Sequence, residues 1–172
     1  MMAETLSYSH MPSPVGTLAV VVSERGLCAI EFNGDDFPHG RAPHGPAYQR
    51  RKISFVENTQ VTEPYFHQLE AYFAGTLREF SLPLDLRGTD FQKQCWQALL
   101  AIPYGATCCY ADIAREVGRP TAFRAVGMAN HSNPVPIVVP CHRVLATNGS
   151  LCGYGGGLDV KEKLLRLEGA IF

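Results

Sequence analysis

"YADIAREVGRPTAFRAVGMAN", residues 110–130, breaks into two short helical phrases around a glycine-containing turn, and the reading of that break organises the chain on either side. In the first phrase Ile113, Ala114 and Val117 share one face of a helix and predict an inward stripe. "GRPT", residues 118–121, predicts a tight turn, with Thr121 as the cap of a second helix over "AFRAVGMAN". Two short helices joined in this way form a helix-turn-helix, although the same pattern also fits a plain helical hairpin. The second helix has an unusual composition: Arg124 is its only charged residue, set among Ala122, Ala125, Gly127 and Ala129. A solvated helix carries more charge and a core helix larger side chains. Small residues here predict close approach to another body, with Arg124 on the approached face, and a narrow nucleic-acid groove is one candidate.

Upstream, Thr89 and Gln92 form a capping box, and Phe91, Cys95, Leu99 and Ile102 mark the buried stripe of a preceding helix. Downstream, Ile137, Val138 and Val139 read as a short buried strand that Pro140 ends, which places Cys141 at a strand end. Asn148-Gly149 then predicts a hairpin turn. A cysteine nucleophile needs a base or a positive field, because an ordinary thiol with a pKa of about 8.5 is only a few per cent ionised at neutral pH. His142 is the adjacent candidate. Neighbours on a strand point to opposite faces, however, so a bridging water or a turn is required, and chance adjacency remains an open reading. Glu168, in "LLRLEG", is available to orient the histidine.

The first half reads differently. "TLAVVVS" and "GLCAIEF" predict a hairpin across Glu24-Arg25, with "LSYSH" as a third strand. Residues 34–52, rich in Gly, Pro, His and charge, predict a long mobile loop. "TEPYFHQLEAYFAG" predicts a helix capped by Thr62 and stopped by Gly75, and "EFSLPLDL" an edge strand carrying Pro83. The fold class is therefore α+β: a small N-terminal antiparallel sheet with a helix over residues 1–86, then a mostly helical domain over 87–172. The 172-residue chain has a formal charge of -1, but Lys and Arg number 6 against 10 Asp and Glu in residues 1–86, and 9 against 6 in 87–172. That asymmetry hints at a nucleic-acid face on the second part. No apolar run approaches the roughly 20 residues that span a bilayer, and no signal peptide is expected. Six cysteines in a chain with a full apolar complement read as reduced thiols, in keeping with a cytoplasmic or nuclear protein. No metal site is expected, because there is no CxxC and His39 and His44 lack a cysteine pair at finger spacing.

"NPVPIVVPCHRV" resembles the active-site signature of the O6-alkylguanine-DNA alkyltransferases, also called methylated-DNA–protein-cysteine methyltransferases. The likeness extends through "FQKQCWQALLAIPYGAT", "YADIAREVG", "RAVGMAN" and "GYGGGLDVKEKLLRLEG", continuously over residues 89–169, with "SPVGTLAVV" and "LEAYFAG" as weaker matches. It implies a ribonuclease-H-like first domain, and a second domain with a winged-helix-like helix-turn-helix and the cysteine. It implies a single-use repair protein that takes the alkyl group of O6-alkylguanine in DNA, with O4-alkylthymine as a further candidate substrate, onto Cys141. In that scheme His142 accepts the thiol proton through a water, Glu168 orients His142, and Asn133 ties the turn. Tyr110 donates to the guanine ring, and the backbones of Val144 and Cys141 read the exocyclic amine. Tyr154, Gly155 and Lys161 belong to the substrate pocket. The DNA contacts fall to Arg124, Ala125, Gly127 and Arg119, with Arg124 filling the gap left by a flipped nucleotide in the minor groove. The implied partner is double-stranded DNA bound by a monomer, with no cofactor and no membrane. The alternative is a DNA protein that binds the lesion without chemistry. Two departures stand out: Cys109 replaces a hydroxyl cap, and Gly155 lacks a side chain that some relatives carry, which implies a roomier pocket.

Overall fold

The computed structural model describes residues 3–39, 43, 46–49 and 52–172, and divides into two compact units, Met1–Gly88 and Thr89–Phe172. In the first, strands β1 (Glu4–Met11), β2 (Leu18–Ser23) and β3 (Gly26–Glu31) pair antiparallel in the order the hairpin pattern predicts. A strand that the alternation did not reveal, β4 (Ile53–Glu57), joins the other edge of β1 in parallel, giving the order β3-β2-β1-β4. The continuous apolar runs of β2 and β3 are buried on both faces, as such runs require.

One face is covered by α2 (Thr59–Phe73), pinned by a hydrogen bond between the buried hydroxyls of Ser9 and Thr62. The cap of α2 is Asn58, whose side chain accepts from Val61 N at 3.2 Å; Thr62 is instead an internal residue facing the sheet. The other face carries Leu6, Tyr8, Ala19, Val21, Cys28 and Ala29, and is covered by Phe37 and Tyr48. The described part of residues 34–52 is therefore packed structure, including the short helix α1 (Pro46–Gln49); residues 40–42, 44, 45, 50 and 51, His44 and Arg50-Arg51 among them, lie outside the described residues. "EFSLPLDL" makes a single bridge, Leu27 to Leu84, where a strand was expected. Arg87 closes this unit with ion pairs to Glu4 at 2.6 Å and Asp85 at 2.7 Å.

The second unit opens with α3 (Asp90–Leu100), whose capping box is formed as the sequence predicts: Gln92 N donates to Thr89 Oγ1 and Thr89 N to Gln92 Oε1. Cys95, Trp96, Leu99 and Ile102 are buried, and Trp96 Nε1 donates to Ala129 O at 2.9 Å, anchoring α5. After β5 (Cys108–Cys109) come α4 (Tyr110–Glu116) and α5 (Phe123–His131), the two helices of the expected helix-turn-helix. The residue capping α5 is Ala122, one place beyond Thr121, with no side-chain bond. β6 (Val144–Leu145) pairs in parallel with β5, so the turn at Asn148-Gly149 does not join a hairpin. The last helix, α6 (Leu158–Leu167), presents Val160, Lys161, Leu164 and Leu165 inward and ends at Glu168, before Gly169 at φ 71°.

Candidate active site

Ile137, Val138 and Val139 are buried but form no strand: the chain runs in turns from Pro134 to Pro140, and Cys141 opens a 3-10 turn through Arg143. Pro134, Pro136 and Pro140 break any ladder, and Ile137 takes φ 74°, a conformation a β-branched residue adopts only when its surroundings impose it. Asn133 supplies that constraint. Its Oδ1 accepts from Val135 N at 3.0 Å, and its Nδ2 donates to Val139 O at 2.8 Å and to Cys141 Sγ at 3.2 Å. One side chain thus holds the turn and places a donor on the thiol.

The turn, not a strand, also resolves the geometry of the Cys–His neighbours. His142 is fully buried, and its Nε2 lies 2.8 Å from Glu168 Oε1. A carboxylate only accepts, so Nε2 carries the proton, and the neutral ring presents an unprotonated Nδ1. That Nδ1 is buried and has no partner among the described residues. Glu168 is shared: Arg143 donates from Nε to Oε2 and from its terminal nitrogen to Oε1, both at 2.8 Å, and also to Ile102 O at 2.7 Å. Sequence reasoning missed Arg143; its adjacency to His142 was the available signal, but the bond to Glu168 spans 25 positions.

Burial pushes the Cys141 thiol above its ordinary range, against the opposing pull of the Asn133 donor and the Lys161 charge. Burial likewise holds His142 below 6.5, with Glu168 opposing. The resting pair is therefore a thiol and a neutral imidazole, an acid and a base awaiting an electrophile. Lys161 is fully buried, and its ammonium donates to Val144 O at 2.6 Å and Cys152 O at 2.8 Å. It thereby ties the backbone at Val144 to that at Cys152. Of the two carbonyls that the family likeness assigns to the exocyclic amine, Cys141 O accepts from Val144 N and Val144 O accepts from Lys161 Nζ.

Tyr110, half-buried at the start of α4, has its hydroxyl 3.5 Å from Cys152 O and 3.6 Å from Cys152 Sγ. Burial, then Cys152 and Cys141, push its pKa well up, so the phenol stays a donor. Cys109 caps α4 weakly, but its N–H donates to Asp112 Oδ2 at 2.8 Å. Tyr154 is half-buried, Gly155 is exposed, and a Cβ on Gly155 would meet nothing within 4 Å. On α5, Arg124 and Ala125 are exposed, while Gly127 lies against the Tyr110 ring. Phe123 and Met128, exposed by 50% and 66%, add apolar projections that the small-residue reading overlooked. Arg119 stacks over Phe91 at 5.1 Å. No group of three potential metal ligands occurs among the described residues.

Two family models match the chain. The one for the DNA-binding domain of 6-O-methylguanine DNA methyltransferase covers residues 90–170, and the one for its ribonuclease-like domain covers residues 6–86. The methylated-DNA–protein-cysteine methyltransferase of Mycolicibacterium paratuberculosis is 53% identical over 163 residues, covering 95% of this chain and 92% of that protein. Its namesake in Methanosarcina acetivorans is 44% identical over 167 residues, covering 95% and 98%. Among solved structures, Mycobacterium tuberculosis OGT in complex with DNA superposes with a TM-score of 0.77 at 41% identity, covering 95% of this chain and 92% of that one.

Proposed function

As a member of the 6-O-methylguanine DNA methyltransferase family, this chain repairs alkylated DNA by taking the alkyl group onto one of its own cysteines, and we propose that the cysteine is Cys141. The observation that carries this reading is the unpartnered Nδ1 of His142, left without the ring proton because Glu168 holds that proton on Nε2, in the residue next to a thiol that Asn133 already contacts. The Cys141 proton passes to Nδ1 through a water. The sulfur attacks the alkyl carbon, the carbon–O6 bond breaks, and its electron pair leaves on guanine. Glu168, itself fixed by Arg143, stabilises the imidazolium, the Asn133 amide steadies the developing thiolate, and the Tyr110 hydroxyl donates to the departing base. A thioether results and the cysteine is spent, so each molecule reacts once.

The substrate is a flipped base, because a sulfur this buried cannot reach an alkyl group inside a stacked duplex. α5 supplies the means: Arg124 and Phe123 project from a helix whose other exposed residues include Ala125, as insertion into a minor groove requires. The residues of the site all belong to the unit Thr89–Phe172 of one chain, which fits a protein that acts as a monomer. Incubation with a duplex oligonucleotide carrying O6-methylguanine, followed by peptide mass mapping, tests the reading. One methyl on Cys141 per molecule is expected, and Cys141→Ser should abolish it while keeping DNA affinity. Tight binding without an adduct would favour a lesion-binding protein, and turnover without one would favour a hydrolase.

A further inference from the structure

Asn130, on α5, is 7% exposed, and neither its Nδ2 nor its Oδ1 has a partner among the described residues. A buried carboxamide with no hydrogen bond is costly, because both ends of its dipole give up water without replacement. An apolar side chain of the same shape would stabilise the fold more, so the amide calls for a partner that the resting protein does not contain. Its position indicates which. Three residues before it, Gly127 has no side chain, and the ring of Tyr110 lies 3.9 Å from where a Cβ would stand. Three residues after it, Asn133 donates to Cys141 Sγ at 3.2 Å, and Asn133 N donates to the Asn130 carbonyl at 3.2 Å. Along the chain Asn130 stands between the residue that faces the phenol donor and the residue that holds the thiol.

We propose that Asn130 is a specificity-determining residue whose carboxamide reads the edge of the alkylated base. This rests on the reading that O6-alkylguanine is delivered to Cys141. Alkylation at O6 removes the proton from N1, so the lesion presents an acceptor at N1 beside the donor of its exocyclic amine. A carboxamide, with one donor and one acceptor side by side, matches that pair with two hydrogen bonds. The second amine hydrogen remains for the carbonyls of Cys141 and Val144. Unmodified guanine offers two donors on the same edge and O4-alkylthymine two acceptors, so either leaves one end of the amide unpaired. That mismatch penalises the wrong base more than the match rewards the right one. The amide is closed off from solvent in the resting fold, so its pairing accompanies entry of the base.

The test compares the full chain with Asn130→Leu and Asn130→Met. Single-turnover methylation of Cys141 is measured from duplexes carrying O6-methylguanine or O4-methylthymine, alongside thermal melts. Both variants should melt several degrees higher, as an apolar replacement of an unpaired amide implies. Transfer from O6-methylguanine should slow about tenfold, the loss of one well-placed pair of hydrogen bonds, while transfer from O4-methylthymine holds or rises. Wild-type speed on O6-methylguanine in both variants overturns the proposal. So does a lower melting temperature in both, which would make the amide a structural anchor. If the wild-type protein puts no methyl on Cys141, the underlying reading fails instead.

Discussion

Replacing Arg143 by Gln should weaken the pH dependence of stability. The Arg143 side chain is 7% exposed and pairs with a Glu168 side chain that is 0% exposed. Removing the guanidinium takes the Arg143 ion pair from a buried carboxylate that keeps its bond to the imidazole of His142. Breaking a buried pair from one side costs about 3–5 kcal/mol, a large share of a domain's total stability. Protonation of His142 recovers part of that cost by replacing one cation with another. In the wild-type protein, burial holds His142 below 6.5. The folded state then binds fewer protons than the unfolded state, so stability falls as pH drops below about 6.5, by up to about 1.4 kcal/mol per pH unit. In Arg143→Gln the guanidinium no longer opposes protonation of His142 while burial still does, so the folded His142 moves up toward its unfolded value and the acid-side loss of stability shrinks. Thermal melts from about pH 5 to pH 8, the range in which histidine titrates, should show the wild-type melting temperature climbing steeply and that of the variant climbing less. Methyl transfer near neutral pH should fall, because more of the imidazole is protonated and has no lone pair to offer, and should recover as the medium becomes alkaline. A variant whose melting temperature tracks the wild type at a constant offset would refute the reasoning and reduce Arg143 to a strut.

Asn133→Ala should lower stability by about 2–3 kcal/mol, since it removes the bonds to Val135, Val139 and Cys141 that hold Ile137 at positive φ. It should also slow iodoacetamide labelling of Cys141, and labelling at the wild-type rate would count against a donor role. Arg124→Ala should slow repair of duplex DNA while leaving reaction with a free alkylated base near normal; equal losses on both would show that Arg124 acts at the pocket. Gly155→Ser has open space for its side chain, so stability should change by less than about 0.5 kcal/mol. The wild-type protein should take benzyl and methyl groups at comparable rates, with the serine variant turning toward methyl, and a strong methyl preference in the wild type would contradict a roomy pocket.

The features legible in the residues are those whose hydrogen bonds close locally. The Thr89–Gln92 capping box, the break between α4 and α5, and the β2–β3 hairpin each satisfy their own backbone within a few positions, so residue type and spacing suffice to place them. The likeness to a known family supplied the roles of Cys141, His142 and Glu168, which adjacency alone left open. What escaped the sequence depends on distant partners. β4 alternates too weakly to be recognised, and exists because β1 offers it a parallel edge. The cap of α2 is Asn58, where residue type had pointed to Thr62, because the sheet takes Thr62 inward to Ser9.

The cysteine segment shows the division most plainly. An apolar run before Pro140 reads as a strand, because burial and strand formation leave the same mark on composition. Only the tertiary structure bends it into turns, where the Asn133 side chain bonds the backbone that the prolines leave unpaired. By itself, the sequence determined that a thiol, an imidazole and a carboxylate were present, in an order that matches a known chemistry. The fold decided that Glu168 meets both His142 and Arg143, which sets the tautomer of the imidazole, and that Lys161 bonds the backbone of Val144 and Cys152. The physical reason is that a buried charge must find its counter-charge wherever packing brings one, 25 positions away for Arg143 and Glu168, and no local pattern records that meeting.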